Sequence, residues 1–261
     1  MSIKEELLYY LTLFNKKPNR DIGQHFLIQR SILRREVKEA ELEENDSVLD
    51  IGAGLGFLTE LIAEKVKKVY AIEKDSTLIE VLKSYVIAKN LEIIQGDALR
   101  ITFPEFNKCV SNLPYVISSP ITFKLLKHDF EKAILTYQKE FAERLIAKPG
   151  EKNYSRISVA CHYYASVRIL EILPPRVFYP KPKVASAIVE IVKKEKPFNV
   201  DEERYFALVR DLFSHKKKTV RKALLSSKRI ELAKSLPSNI LEKRVFKLAP
   251  EEIAEMLEYE N

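Results

Sequence analysis

Short β-branched runs alternate with segments of helical period through the first two thirds of this chain, and that alternation restricts the fold more than any other feature. Ser47–Ile51, Lys68–Ile72, Leu91–Gln95, Lys108–Ser111 and Lys132–Tyr137 have the length and the Val/Ile content of buried strands, with amphipathic stretches between them. Strands that take turns with helices build a mainly parallel sheet covered on both faces. Two further β-rich stretches, Val167–Ile172 and Val184–Val192, are joined by the proline-dense Leu173–Lys183, too short for a helical crossover. They are expected to finish a seven-stranded sheet as an antiparallel, hairpin-like ending at one edge.

The charged, apolar-poor Lys193-Lys194-Glu195-Lys196-Pro197 marks a boundary. Residues 1–196 are therefore read as an α/β domain and residues 197–261 as a small helical one. Charge is segregated in the latter: Ser214–Lys247 carries eleven Lys and Arg against Glu231 and Glu242, whereas Leu248–Asn261 carries five Glu and neither Lys nor Arg. With 44 basic and 37 acidic residues the formal charge is +7, which suits a polyanionic partner without requiring one. The two cysteines, Cys109 and Cys161, form no CxxC and have no nearby His pair, so buried thiols are expected and neither a disulfide framework nor a metal site. No apolar run approaches the about 18 residues of a membrane span, and a cytoplasmic protein without a membrane partner is the expectation.

The segment Val48-Leu49-Asp50-Ile51-Gly52-Ala53-Gly54-Leu55-Gly56-Phe57 runs a buried strand into a glycine loop and then a helix. Glycines let a backbone approach a ligand closely. A dinucleotide fingerprint needs G-x-G-x-x-G, and here the third glycine comes one residue early, which counts against a nicotinamide cofactor. Glu73 ends the next strand, where a carboxylate can accept both hydroxyls of a ribose, and Asp97 follows the third, placed for an adenine amino group. Each feature alone has an ordinary reading as a turn or a solvated acid. In this order they describe an adenosine-bearing ligand with no pyrophosphate, which S-adenosylmethionine fits best.

After the fourth strand comes Asn112-Leu113-Pro114-Tyr115. An exocyclic amine has two N–H donors and a conjugated lone pair, and two acceptors holding those hydrogens align the nitrogen for in-line attack on a sulfonium methyl. Asn112 can supply one acceptor, a carbonyl of Leu113 or Pro114 the other, and Tyr115 a stacking face for an extruded base. This combination resembles the ribosomal RNA adenine N6,N6-dimethyltransferases, the KsgA-type family, in its archaeal branch. Gly23-Gln24-His25-Phe26-Leu27 is similar to that family's G-Q-[NHC]-F-L motif, and Pro174–Val184 to its substrate loop.

The resemblance implies a Rossmann-like class I S-adenosylmethionine methyltransferase domain with a small C-terminal helical domain. It also implies S-adenosylmethionine as cofactor, no metal, and transfer to two adjacent adenosines in a hairpin near the 3′ end of small-subunit ribosomal RNA within a pre-ribosomal particle. The cofactor set it implies is Gln24, His25, Leu27, Gly52, Gly54, Glu73, Asp97, Ala98 and Asn112; the reacting set is Asn112, Leu113, Pro114, Tyr115 and Phe178, with Phe178 sandwiching the adenine against Tyr115. His215-Lys216-Lys217-Lys218-Thr219-Val220-Arg221-Lys222 is similar to a basic family segment, so His215, Lys216, Lys217, Lys218, Arg221 and Lys222 are expected against RNA phosphate. A monomer is the family expectation. Ala53 stands where the family commonly has Pro, and the stretch ahead of Gly23 is longer than in many members; Ile3–Phe14 reads as an amphipathic helix packed on the core, with Lys16, Lys17 and Arg20 near RNA. Two other readings share these motifs: a large-subunit ribosomal RNA adenine methyltransferase of the antibiotic-resistance type, and an assembly or nucleic-acid-binding factor that no longer methylates. Leu113 and the two family segments favour the small-subunit enzyme, and the intact amine-positioning set argues against the binder.

Overall fold

The computed structural model describes residues 2–19 and 23–260; Arg20 lies outside them. The chain divides into two compact units, one formed by Met1–Ala142 with Val167–Lys193, the other by Glu143–Ser166 with Lys194–Asn261.

The first unit is a seven-stranded sheet. Its strands are β2 (Ser47–Ile51), β3 (Lys68–Glu73), β4 (Leu91–Gln95), β5 (Lys108–Asn112), β6 (Lys132–Gln138), β7 (Ala165–Leu173) and β9 (Ser186–Lys193). Their order is β4-β3-β2-β5-β6-β9-β7. β2 to β6 pair in parallel, and β9 runs antiparallel to β6. The expected closing pair is therefore present, but β9 comes between β6 and β7, and the later strand does not end the sheet. Side-chain chemistry explains the order: the first six residues of β9 are buried, which suits a strand covered on both faces, whereas β7 alternates with exposed Ser166, Arg168 and Ile172 and tolerates an edge.

Strand order reverses between β2 and β5. In open α/β sheets the crevice at such a switch point, at the carboxyl ends of the strands, is where ligands bind. Here it brings the loop after Ile51 beside Asn112, the last residue of β5. The two strands are also tied by Ile51 N–H donating to Ser111 Oγ at 2.7 Å.

Helices α1 (Ile3–Leu13), α2 (Arg30–Glu39), α3 (Phe57–Ala63), α4 (Ser76–Tyr85) and α5 (Ser118–Leu126) belong to this unit. α1 begins with a capping box between Ser2 and Glu5, and its Ile3, Leu7 and Leu11, spaced by four, are buried in the main apolar cluster. α2 buries Ile32, Leu33, Glu36 and Val37 on one face, so a carboxylate takes a place that helical spacing reserves for an apolar side chain. A second, two-stranded sheet was not foreseen from the sequence: β1 (Phe26–Leu27) pairs antiparallel with β8 (Phe178–Tyr179), Leu27 opposite Phe178.

α6 (Lys139–Leu145) runs across the change of unit. α7 (Arg156–Tyr164) packs with α8 (Glu202–Phe213), α9 (Val220–Ser226), α10 (Ile230–Ser235), α11 (Ser238–Leu241) and α12 (Pro250–Met256). The expected boundary at 196/197 thus falls three residues past the change at Lys193/Lys194, and residues 143–166, read as part of the α/β domain, belong with the helical unit. Buried Tyr154 and Val159 share an apolar cluster with Tyr205, Leu208 and Leu212, and Tyr154 Oη donates to the Leu248 carbonyl at 3.0 Å. A continuous stretch of chain contributes to two cores, which composition along the sequence cannot reveal.

Candidate active site

The thirteen residues expected to touch cofactor or target base all line one cavity of about 250 Å³ in the first unit. Its floor is the loop after β2. Gly52 has φ +76°, and a Cβ there would lie 3.0 Å from Pro114 Cδ, so the glycine loop and the Asn112–Tyr115 segment can touch only because residue 52 lacks a side chain. Gly54 N–H donates to Glu73 Oε2 at 2.9 Å, while Glu73 Oε1 accepts from Lys74 N–H at 2.7 Å and Asp75 N–H at 2.9 Å. Burial raises the Glu73 carboxyl above its ordinary range and these three backbone donors oppose the rise. Asp97, at the rim, is lowered by the Leu99 N–H and by Lys74, whose Nζ lies 3.0 Å from Asp97 Oδ2. Ala98 is buried, and its carbonyl accepts from Lys124 Nζ at 2.7 Å.

The two-stranded sheet carries the wall. Gln24 Oε1 accepts from Asn19 N–H at 2.8 Å, and Leu27 is held by its pairing with Phe178. His25 Nδ1 lies 2.6 Å from the Pro180 carbonyl. A carbonyl only accepts, so Nδ1 carries the hydrogen. The His25 ring stands 5.4 Å from that of Tyr115, tilted by 30°. Tyr115 Oη is 2.5 Å from Ser186 Oγ on β9, and burial raises its phenol. The ring beside Tyr115 is thus that of His25, while Phe178, buried on β8, reaches the cavity from the wall.

Around Asn112 lie groups that motif reading missed. Asn112 Nδ2 donates to Glu36 Oε2 at 3.0 Å, and Thr136 Oγ1, one strand over, donates to Glu36 Oε1 at 2.6 Å. Asn112 Oδ1 is buried and has no hydrogen-bond partner among the described residues. Burial pushes the Glu36 carboxyl up to about 7, and likewise Asp50, which accepts from Thr59 Oγ1 at 2.7 Å. The signal for Glu36 was present, a Glu in the apolar stripe of α2; Thr136 had none, since only strand pairing sets it opposite Asn112.

The basic segment of the helical unit is not uniformly free. Lys216 Nζ donates to the carbonyls of Lys152 and Tyr154 at 3.0 and 3.1 Å, Lys218 Nζ lies 3.1 Å from Ser226 Oγ, and Arg221 Nε is 3.1 Å from Glu242 Oε1. Burial lowers the Lys216 ammonium, and His215 is half-buried; Lys217, Lys218, Arg221 and Lys222 are exposed. Residues 214–218 form a turn ahead of α9, whose N-cap is Thr219. Near the N-terminus Lys16 is ion-paired with Asp75 and Lys17 is exposed.

A family model described as ribosomal RNA adenine dimethylase matches residues 15–261. The chain belongs to the ribosomal RNA adenine dimethylase family. Such dimethylases are S-adenosylmethionine-dependent methyltransferases, so this chain is a methyltransferase. It is 46% identical to a probable ribosomal RNA small subunit methyltransferase A of Pyrococcus furiosus over 98% of this chain and 97% of that protein. With a protein of the same name from Thermococcus sibiricus it is 50% identical over 95% and 94%. Among solved structures a dimethyladenosine transferase from Plasmodium falciparum superposes with TM-score 0.78 at 32% identity, covering 89% of this chain and 96% of that one. A 23S rRNA methyltransferase, ErmE, gives 0.65 at 27%, covering 90% and 98%. Of the two, the large-subunit enzyme is the less similar.

Proposed function

We propose that this dimethylase transfers methyl groups from S-adenosylmethionine to N6 of two adjacent adenosines, in a hairpin near the 3′ end of small-subunit ribosomal RNA. Near full-length identity of 46% to a probable small-subunit methyltransferase is the observation that supports this target over large-subunit RNA. The cavity fits the cofactor and a target amine beside it: a Cβ at Gly52 would press on Pro114, a paired acid lies at the rim, and a buried amide oxygen, Asn112 Oδ1, has no partner among the described residues. The loop backbone at Gly52 and Gly54, with Gln24, His25, Leu27, Glu73, Asp97 and Ala98, would hold it. The bound cofactor supplies a methyl group on a sulfonium.

Asn112 Oδ1 and a carbonyl of Leu113 or Pro114 accept the two hydrogens of the target amine, so its lone pair faces the methyl donor. Tyr115 and Phe178 present apolar faces to the base. The nitrogen loses its proton to solvent after transfer, so neither a general base nor a metal is needed in this scheme. The helical unit adds RNA affinity through exposed Lys217, Lys218, Arg221 and Lys222, with shape and the assembling particle supplying specificity. The enzyme acts as a cytoplasmic monomer on a pre-ribosomal particle.

The test is transfer of labelled methyl to unmethylated small-subunit particles, followed by nucleoside analysis. Dimethyladenosine in small-subunit RNA is the expected product. Label in large-subunit RNA alone, or none despite cofactor binding, would refute the assignment.

A further inference from the structure

Asn112 ends β5 with a divided amide: its Nδ2 is bonded to Glu36, and its buried Oδ1 has no partner among the described residues. An asparagine amide can turn by half a rotation with almost no change in shape, exchanging donor and acceptor. Something must therefore decide which end is left for a ligand. Glu36 is 1% exposed, reaches this point from α2, and uses one oxygen for Asn112 and the other for Thr136 on β6. An ionised carboxylate only accepts, so it selects the orientation with Nδ2 facing it.

We infer that Glu36 is a positioning residue whose ionised carboxylate holds the Asn112 amide with Oδ1 left as the acceptor for the target amine. The inference rests on the N6-transfer reading above. Protonation removes the selection, because a carboxylic acid offers the amide an O–H donor as well as an acceptor, so the amide can turn and leave N–H groups facing an amine that itself donates. Burial pushes the Glu36 carboxyl up to about 7 against the hydrogen bonds from Thr136 and Asn112, and the like charges of Asp50 on β2 and Glu171 on β7 add to the rise. The competent orientation is then no longer enforced as pH falls through about 7.

The variant is Glu36→Gln, near-isosteric, and the observables are kcat against pH, KM for the cofactor, and the side-chain ¹⁵N resonance of Asn112. Wild type should show an acid limb in kcat with midpoint near 7 and an Asn112 resonance titrating with it. In the variant both should vanish, with kcat at high pH about twofold to tenfold lower, because the amide now has two comparable orientations, and cofactor KM within about twofold. A structural role alone would lower thermal stability and leave the acid limb in place. An unchanged limb and an unchanged Asn112 titration in a folded Gln variant would overturn the inference. The resonance is read without RNA, so absence of adenosine methylation in wild type would sink the functional reading while the titration still decides the role of Glu36.

Discussion

Replacing Asn112 by alanine should separate chemistry from binding. The substitution removes the one acceptor assigned to the amine from the β5 side chain, and loss of a single positioned hydrogen-bonding group of this kind costs about 10²- to 10³-fold in kcat. It also removes the Nδ2 donor 3.0 Å from Glu36 Oε2, so that buried carboxyl keeps its hydrogen bond from Thr136 and loses the other. An unsatisfied buried acceptor costs about 1–3 kcal/mol of stability. RNA affinity should stay within about twofold of wild type, since phosphate contacts in the basic segment, and not this amide, supply it. Single-turnover methyl transfer with saturating cofactor, well below the unfolding temperature of the variant, gives the rate; filter binding to small-subunit RNA gives the affinity. A rate within threefold of wild type, or RNA affinity falling in step with rate, would refute the reasoning.

Changing Lys217, Lys218 and Lys222 together to Gln should weaken RNA binding and flatten its dependence on log salt by up to about 2–3, at about 0.7–0.9 for each phosphate no longer neutralised; an unchanged slope would remove this face from the interface. Gly56→Ala places a Cβ 2.4 Å from Leu82 Cδ1 and 2.7 Å from Val86 Cγ2 at φ +96°, and should cost about 2–4 kcal/mol by urea denaturation. A midpoint unchanged from wild type would show that these two side chains yield freely. Glu36 rises from 4.5 to about 7 on folding, so its contribution is full below the unfolded value and is lost as pH rises through about 7. That swing is about 3 kcal/mol, and Glu36→Gln should remove it, narrowing the gap in stability between pH 5 and pH 8.5; an equal gap in both proteins would place the titration elsewhere, at Asp50 first.

The alternation of β-branched runs and amphipathic segments placed five of the seven strands to within one residue and the last two to within two, because strand and helix periods are local properties of the chain. The motifs likewise marked the residues that meet in the cavity: the glycine loop, Glu73, Asp97 and Asn112 sit at or just beyond the ends of strands, where they must converge in any sheet of this connectivity, while Gln24 and His25 precede β1 and Phe178 opens β8. Three things needed the tertiary structure. The placement of β9 inside the edge depends on which faces find cover, and the Leu27–Phe178 pairing joins segments far apart in the chain. The packing of residues 143–166 with the helical unit depends on where Tyr154 and Val159 find apolar partners. The Glu36–Asn112–Thr136 cluster draws one side chain each from α2, β5 and β6, and hydrogen bonds between residues 76 and 100 positions apart leave no period in a sequence.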